Sequence, residues 1–356
     1  MERKLATVRQ IADIKPIKGA DAIELAKIDG WQVVIAKKDN FKIGDKVIFM
    51  EIDSVLPELP EFEFLRKNKF RIKTIKLRKQ LSQGIAFPFS IMEKFPRKNI
   101  VTAWGDPPIF SEEDATFSWK LGDDVTTAIG ITKYEPPISA ELAGQVRGGF
   151  PGQVPKTDEE RVQNLVEPLE YWKKSESFRR VYGMSEKLDG SSATFINLDD
   201  DFHTCSKNLD LLESENNTFW KMAKKYDLQK LMKGRNIAIQ GELIGPGIQK
   251  NKYKLSEHEI FFFKAFDINE QKYLPKVEFI ELMENMELKI VPDLGELLLE
   301  NQTVEDFVNM AEGKSVLNPA IEREGIVFST KYDTGKNYGV SSFKAINNRF
   351  LLKYED

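Results

Sequence analysis

Lys187 lies in the run Ser185-Glu186-Lys187-Leu188-Asp189-Gly190-Ser191-Ser192, with a carboxylate on either side and a Gly/Ser turn behind it. A lysine amine is a nucleophile only when neutral, and an ordinary pKa near 10.4 leaves about one molecule in a few thousand neutral at pH 7. Neighbouring carboxylates favour the ammonium. A bound cation or a dry site must therefore oppose them before the amine can attack. These residue types predict a covalent lysine nucleophile working beside a divalent ion. Gly190 would let the backbone approach a bound ligand closely. Lys-Leu-Asp-Gly also suits a solvated surface turn, so the surrounding elements have to separate the two readings.

The elements that would position Lys187 follow a mixed order. Ala193 to Leu198, Ile237 to Leu243, Ile260 to Ile268 and Gly325 to Thr330 read as strands. Asn216 to Met232, Pro275 to Met286 and Thr303 to Ala311 read as helices. Ahead of them, Thr157 is placed to cap a helix with an acidic first turn, Asp158-Glu159-Glu160. This order is α+β, without regular βαβ alternation. No GxGxxG or GxxxxGK[ST] follows a strand, so neither a Rossmann site nor a P-loop is offered.

Chemistry-bearing residues recur along these elements. After Lys187 come Ser206-Lys207-Asn208, Gly241-Glu242, the aromatic-Asp run Phe263 to Ile268, Glu324-Gly325-Ile326-Val327, and Ser342-Phe343-Lys344. This series resembles the covalent nucleotidyltransferases: KxDG, a short basic/Asn element, a GE strand, an aromatic-Asp strand, EGxV and a terminal lysine element. Only Asn347 to Asp356 follow the last element, and the candidate OB domain lies in front. With Arg161-Val162-Gln163-Asn164, this arrangement is similar to the RNA ligase branch that carries its OB domain first, as in the Naegleria and Deinococcus enzymes. The resemblance covers nearly the whole chain and is most specific at residues 157–208 and 322–353.

The resemblance implies an ATP-dependent RNA ligase with three steps. Lys187 takes AMP from ATP, the AMP passes to an RNA 5′-phosphate, and a 3′-hydroxyl displaces it. Glu186 would contact the adenine and Phe266 would stack on it. Lys207 and Asn208 would reach the ribose or the RNA end. Asp189, Glu242 and Glu324 would hold a hydrated Mg²⁺ or Mn²⁺. Lys344 would contact the α-phosphate, and Arg161 the outgoing phosphates or the RNA 5′-phosphate. One departure stands out: some RNA ligases carry two lysines spaced by one residue in the last element. Here Lys344 stands alone between Ser342 and Ile346, with Lys353 a distant candidate for the second role. The competing readings are a DNA ligase, a capping guanylyltransferase, or a non-catalytic RNA-binding protein on a ligase scaffold. The order of domains disfavours the first two, and the intact Lys187, Glu242, Glu324 and Lys344 disfavour the last.

The chain has 356 residues, for which two domains are the prior expectation. Its net charge of −4 conceals a segregation. Residues 1–100 hold 21 Lys+Arg against 13 Asp+Glu, and the remainder holds 31 against 43. The first hundred residues read as short strands with turn signals, among them Asp29-Gly30 between Ile23 to Ile28 and Trp31 to Ala36. Ala6 to Ile11 alternates, and Gly44-Asp45 separates Phe41 to Ile43 from Lys46 to Met50. The expectation is an OB-type barrel over 1–120 that binds nucleic acid. Eight cations fall in fourteen residues, Arg66 to Lys79, with no acid among them. On a strand or ribbon, Arg71, Lys73, Lys76, Arg78 and Lys79 would track phosphates.

A Pro/Gly-rich linker is expected over 121–156 and a catalytic domain over 157–356. The five tryptophans, His203 and His258 read as core residues or local hydrogen-bonders. Phe261 to Phe263 read as a buried strand, and 281–312 as an exposed helical surface with an apolar face. Two histidines and the single Cys205 cannot build an ordinary zinc site, and one cysteine allows no internal disulfide. Met-Glu-Arg-Lys opens the chain without an apolar run behind it, so no signal peptide is expected. No apolar run is long enough to span a bilayer. These features predict an intracellular protein with no membrane partner, and nothing in them predicts an oligomer.

Overall fold

A computed structural model describes residues 3–95, 119–135, 144–174, 181–331 and 342–354, with the side chains of 172–174 excepted. Two compact units result, Met1–Pro136 with Leu351–Asp356, and Pro137–Phe350.

In the first unit, Ala6–Gln10, Lys46–Glu51 and Gly84–Pro88 form one antiparallel sheet. Asp13–Pro16, Ile23–Ile28 and Trp31–Ala36 form another. Asp29 and Gly30 both take positive φ (46° and 81°), the turn that matches strand twist in a two-residue hairpin. Trp31 is fully buried against Phe49, with ring centroids 5.4 Å apart. The expected alternation of Ala6 to Ile11 fails, because Thr7 and Arg9 are buried as well as Ala6 and Val8. Both faces of that strand are covered, and Arg9 is accommodated by donating to Thr7 Oγ1 and Asp29. Phe41 to Ile43 form no strand.

The basic run is not one ribbon either. Pro60–Asn68 is a 3₁₀ helix bearing Arg66 and Lys67. Lys69 and Phe70 then turn the chain through positive φ, and Phe70 is buried. Only Ile75–Leu77 and Gln80–Ser82 pair as a hairpin, with Arg78 and Lys79 at its tip. The expected linker is divided. Thr132–Lys133 pairs with Ser54–Val55 in the first unit, while Val146–Gly149 pairs with Leu209–Leu211 in the second. Residues 96–118, Pro136 and Pro137 lie outside the described residues.

Two sheets build the second unit. Seven antiparallel strands run in the order Val146–Gly149, Leu209–Leu211, Asp201–Cys205, Ser191–Leu198, Ile237–Ile244, Glu259–Asp267, Lys272–Tyr273. Five run in the order Glu160–Arg161, Ser342–Ile346, Gly325–Thr330, Val181–Lys187, Asp293–Leu298. Helices cover one face of each sheet. Thr218–Lys225, Leu228–Leu231 and Lys276–Asn285 pack on Phe195, Ile239, Leu243 and Phe262 of the larger. Val304–Ala311 packs on the smaller through Phe307, which meets Phe328 and Phe343 at 5.1 and 5.3 Å. Strand alternation then turns the intervening residues to the other faces, and these include the candidate site.

Several expectations are corrected here. Thr157 caps no helix: its hydroxyl bonds Ser192, and Glu160–Arg161 is a strand pairing in parallel with Phe343 and Lys344. The helix expected over 216–232 is broken at Asp227, which has φ 50°. Within 281–312, Asp293–Leu298 is a strand added beside the Lys187 strand, so that region is not a continuous helical surface. Trp31 and Trp220 are buried and Trp119 is partly buried, as expected of core residues. Trp104 and the Trp172 side chain lie outside the described residues.

Candidate active site

Lys187 ends the strand Val181–Lys187, where its register partner is Gly325 on the neighbouring strand. That pairing places Glu324, the preceding residue, beside the lysine. Lys187 Nζ donates to both Glu324 oxygens at 2.8 Å. Arg323 fixes the start of the Glu324 strand by donating to the carbonyls of Met310, Ala311 and Glu312 at a helix end. Asn347 holds the same segment, donating from its amide to the Arg323 carbonyl and from its backbone N–H to the Glu324 carbonyl.

A second carboxylate arrives from the other sheet. Glu242 points from Ile237–Ile244, opposite Ser192, and accepts the Gly190 backbone N–H at 3.0 Å. The turn needs glycine there, since a Cβ on residue 190 would lie 2.4 Å from the Leu243 carbonyl oxygen and 2.6 Å from Ile244 Cγ2. Asp189 is held by the Lys252 ammonium, and its backbone N–H donates to Tyr253 Oη at 2.7 Å.

This packing sets the charges. Burial pushes the Lys187 ammonium down, but Glu324, Glu242 and Asp189 outweigh it and hold the group above the ordinary lysine value. Burial pushes Glu242 up to about 8, with Lys187 opposing and the Glu324 and Asp189 charges assisting. Glu324 is raised by burial and by Asp189, against the pull of Lys187 and Lys344. The lysine is thus in place but charged. Among the described residues no cluster of carboxylates, His or Cys is arranged to chelate an ion directly. Three carboxylates around one ammonium instead suit a hydrated hard cation held through its waters. Such an ion would draw the carboxylates towards ionisation and Lys187 towards the neutral amine.

Around this cluster lies a cleft of about 540 Å³, its open mouth included. Lys187, Glu186, Glu242 and Lys264 line it, with Phe263, Leu188, Val291 and Val327 as its apolar walls. Glu186 is buried and accepts the Val316 backbone N–H at 2.7 Å. Burial raises its pKa, partly offset by Ser315 and Val316.

The terminal element is also positioned by register. Lys344 pairs with Val327 on one side and with Arg161 on the other, so strand pairing sets Arg161 beside Lys344. Lys207 forms an ion pair with Asp158 at 2.9 Å, and Asn208 accepts from Lys156 at 3.0 Å. Their partners Asp158 and Lys156 flank Thr157, a cleft residue, in the chain.

Phe266 lies elsewhere than expected. It packs with Val154, Ile196, Cys205 and Ala238, and meets Tyr273 edge-on at 5.1 Å. The aromatic wall of the cleft is Phe263. A bulge between Gln240 and Gly241 opposes these two residues to Lys264 and Phe262, leaving Phe263 as the extra residue. Phe263 and Lys264 consequently both reach the cleft, and Phe263 is only partly buried. Lys264, Lys252, Tyr253, Glu159 and Arg323 are site residues that motif reading missed. Only the Phe-Phe-Phe-Lys run carried a signal, as a charge closing an apolar strand. His203 bonds Asp210 and His258 meets the Pro246 carbonyl, both at 2.7 Å, in keeping with local roles.

Comparison with known proteins agrees with this geometry. An OB-fold domain family matches residues 5–89 and an RNA ligase family matches residues 181–346. A ligand-free mutant of the Naegleria gruberi RNA ligase is 37% identical, with 99% of each chain covered and a TM-score of 0.79. The chain belongs to the RNA ligases. The Naegleria enzyme with PPi is 38% identical over 100% of each chain, with a TM-score of 0.78. A mutant of it with ATP and Mn is 38% identical over 99% of each chain, with a TM-score of 0.78. Comparison with curated proteins gives no match. As in the resemblance, this RNA ligase carries its OB-fold domain first and its mixed α+β nucleotidyltransferase domain second.

Proposed function

We propose that this RNA ligase seals RNA 3′-hydroxyl and 5′-phosphate ends, nicked duplexes among them, using ATP and Mg²⁺ or Mn²⁺. The observation that carries the reading is Lys187, bonded to Glu324 and surrounded by Glu242 and Asp189 at the floor of a cleft with an apolar wall. Phe263, Leu188, Val291 and Val327 suit the flat faces of adenine, and Glu186 suits its polar edge. Asp189, Glu242 and Glu324 would hold a divalent ion through its waters, and that ion would supply positive charge favouring the neutral amine of Lys187.

Lys187 must lose a proton before it attacks, and Glu324 is the acceptor in hydrogen-bond reach. The amine nitrogen then bonds to the α-phosphorus. The bond from that phosphorus to the bridging oxygen breaks, and pyrophosphate leaves with the electron pair. The proton remaining in excess on the new P–N nitrogen passes to solvent. Lys344 and Arg161, adjacent by register, face the phosphates, while Lys207 and Asn208 serve the ribose or the RNA end. The OB unit presents Lys73, Lys76, Arg78 and Lys79 to the RNA backbone. No helix among the described residues is long and apolar enough to cross a membrane, and the need for ATP and RNA supports an intracellular setting.

The test is label transfer from α-labelled ATP, beside α-labelled GTP, to wild type and Lys187→Ala. An acid-labile, ATP-specific adduct lost in Lys187→Ala is expected. A GTP-specific adduct would move the enzyme to capping chemistry. An equal adduct in Lys187→Ala would remove the lysine from the mechanism.

A further inference from the structure

Lys264 has no part in the chemistry assigned above, yet its ammonium is in the cleft. It extends from the bulged strand Glu259–Asp267 and is 12% exposed. Three groups hold it: the Glu159 carboxylate, Ser342 Oγ at 2.5 Å, and the Tyr273 ring, 4.6 Å from the nitrogen. Ser342 in turn donates to Glu159 at 2.5 Å.

Strand register locates this ammonium relative to the phosphate-facing residues. Phe343 and Ala345 are buried in the core under Val304–Ala311, so Ser342 and Lys344 project from the opposite face of their strand. Glu160 and Arg161 pair in parallel with Phe343 and Lys344, which sets Glu159 alongside Ser342. Lys264 is thus tied to the residues two positions before Lys344 and two before Arg161. Ser342 is also one of the two alternate positions beside Lys344, with Ile346, that carry no lysine in this chain.

Charge makes the arrangement informative. Glu159, Glu186 and Glu242 line the cleft against two lysines, Lys187 and Lys264. A triphosphate with its α-phosphorus at Lys187 would bring several negative charges into that space and needs cations beyond the nucleophile. We propose that Lys264 binds the β- and γ-phosphates of ATP and stabilises pyrophosphate as it leaves, with Glu159 and Ser342 orienting its ammonium. This rests on the ATP-dependent reading of the same cleft. It gives Lys264 work in the first step, forward and reverse, and none in sealing RNA that is already adenylylated.

Single-turnover formation of lysyl-AMP, its reversal by pyrophosphate, and sealing of pre-adenylylated RNA are measured in the full-length protein. The comparison uses wild type, Lys264→Ala, Lys264→Gln and Lys264→Ala/Ser342→Lys. Loss of one charged phosphate contact predicts a rise of ~10-fold or more in the ATP concentration giving half-maximal rate, and a similar rise for pyrophosphate. Sealing of pre-adenylylated RNA should stay within about two-fold, since that step makes no use of the contact. A cation returned at position 342 should recover much of the loss. If Lys264→Ala does not fold, Lys264→Gln keeps donors to Glu159 and Ser342 and should show the same selective loss. Equal losses in all three reactions would make Lys264 only a structural partner of Glu159. A loss confined to sealing would assign it to RNA. Unchanged ATP and pyrophosphate dependence would also overturn the proposal. Failure of wild type to form lysyl-AMP would instead overturn the underlying ATP reading.

Discussion

Lys187 and its carboxylates form a proton-holding cluster, and this has a measurable sign. Glu242 is raised to about 8, so the folded protein keeps a proton that the unfolded chain releases as the pH climbs from the ordinary glutamate range to about 8. Without divalent ions, stability of the catalytic unit should therefore fall across that window. Lys187, also raised above its ordinary value, adds a loss of the same sign in a higher window: its contribution persists through neutral pH and is lost only as the pH rises through its folded pKa. Glu242→Gln keeps an oxygen for the Gly190 N–H and removes the ionisation. At pH 8 without metal it should unfold at least about 2 °C above wild type in a thermal melt. It should nonetheless form lysyl-AMP at least ~10-fold more slowly with metal present, having lost one carboxylate for the hydrated ion. A flat melting profile in wild type, or no stabilisation in Glu242→Gln, would show that Glu242 ionises freely.

At the scale of elements, the site depends on how closely two strands and one turn approach. Gly190 packs against the backbone of Leu243 and the Cγ of Glu242. An added methyl meets a carbonyl oxygen in a sheet interior, which cannot move without shifting Glu242. Gly190→Ala should cost about 1–3 kcal/mol of stability by overpacking, and the altered Glu242 should slow lysyl-AMP formation more than it weakens ATP binding. Denaturant unfolding and single-turnover adenylylation check the two parts. The bulge in the Glu259–Asp267 strand is the second such device. It turns two consecutive side chains, Phe263 and Lys264, to the cleft and carries Phe266 past it. A strict period of two would give the cleft every other residue, and so could not foretell this.

For the molecule as a whole, the segregated charge has a structural counterpart in the first unit. Lys73, Lys76, Arg78 and Lys79 are exposed on or beside one hairpin, with Ile75 and Leu77 46% and 37% exposed among them. Arg71 is different: it pairs with Asp53 at 2.6 Å and lies 3.6 Å over the Tyr134 ring. Neutralising the four hairpin cations should weaken RNA binding and flatten its salt dependence, by up to about 3–4 in the log–log slope if each meets one duplex phosphate. Lysyl-AMP formation should be unaffected. Arg71→Ala should mainly destabilise the first unit, by about 1–3 kcal/mol, with a small change in salt slope. Binding titrations over a salt series separate these outcomes. An unchanged slope in the hairpin variant would leave the cations as a solvated surface.

The sequence by itself determined the candidate nucleophile, its candidate carboxylates and their order along the chain. Lys187 and Asp189 were singled out by the residue types of one short run, and Glu242 and Glu324 by the resemblance; the structure brings the four side chains together. The Asp29-Gly30 hairpin and most central strands were legible because they are local in backbone preference and period. Contacts between distant segments decided the rest. Thr157 to Arg161 looked like a capped helix because Asp158 to Glu160 suit a helix start. A parallel pairing with residues 343 and 344, nearly two hundred positions away, makes Glu160–Arg161 a strand. The same pairing sets Arg161 beside Lys344 and brings Glu159 to Ser342 and Lys264. Register and bulges are properties of strand pairs, so only the assembled sheets specify which side chains share the cleft.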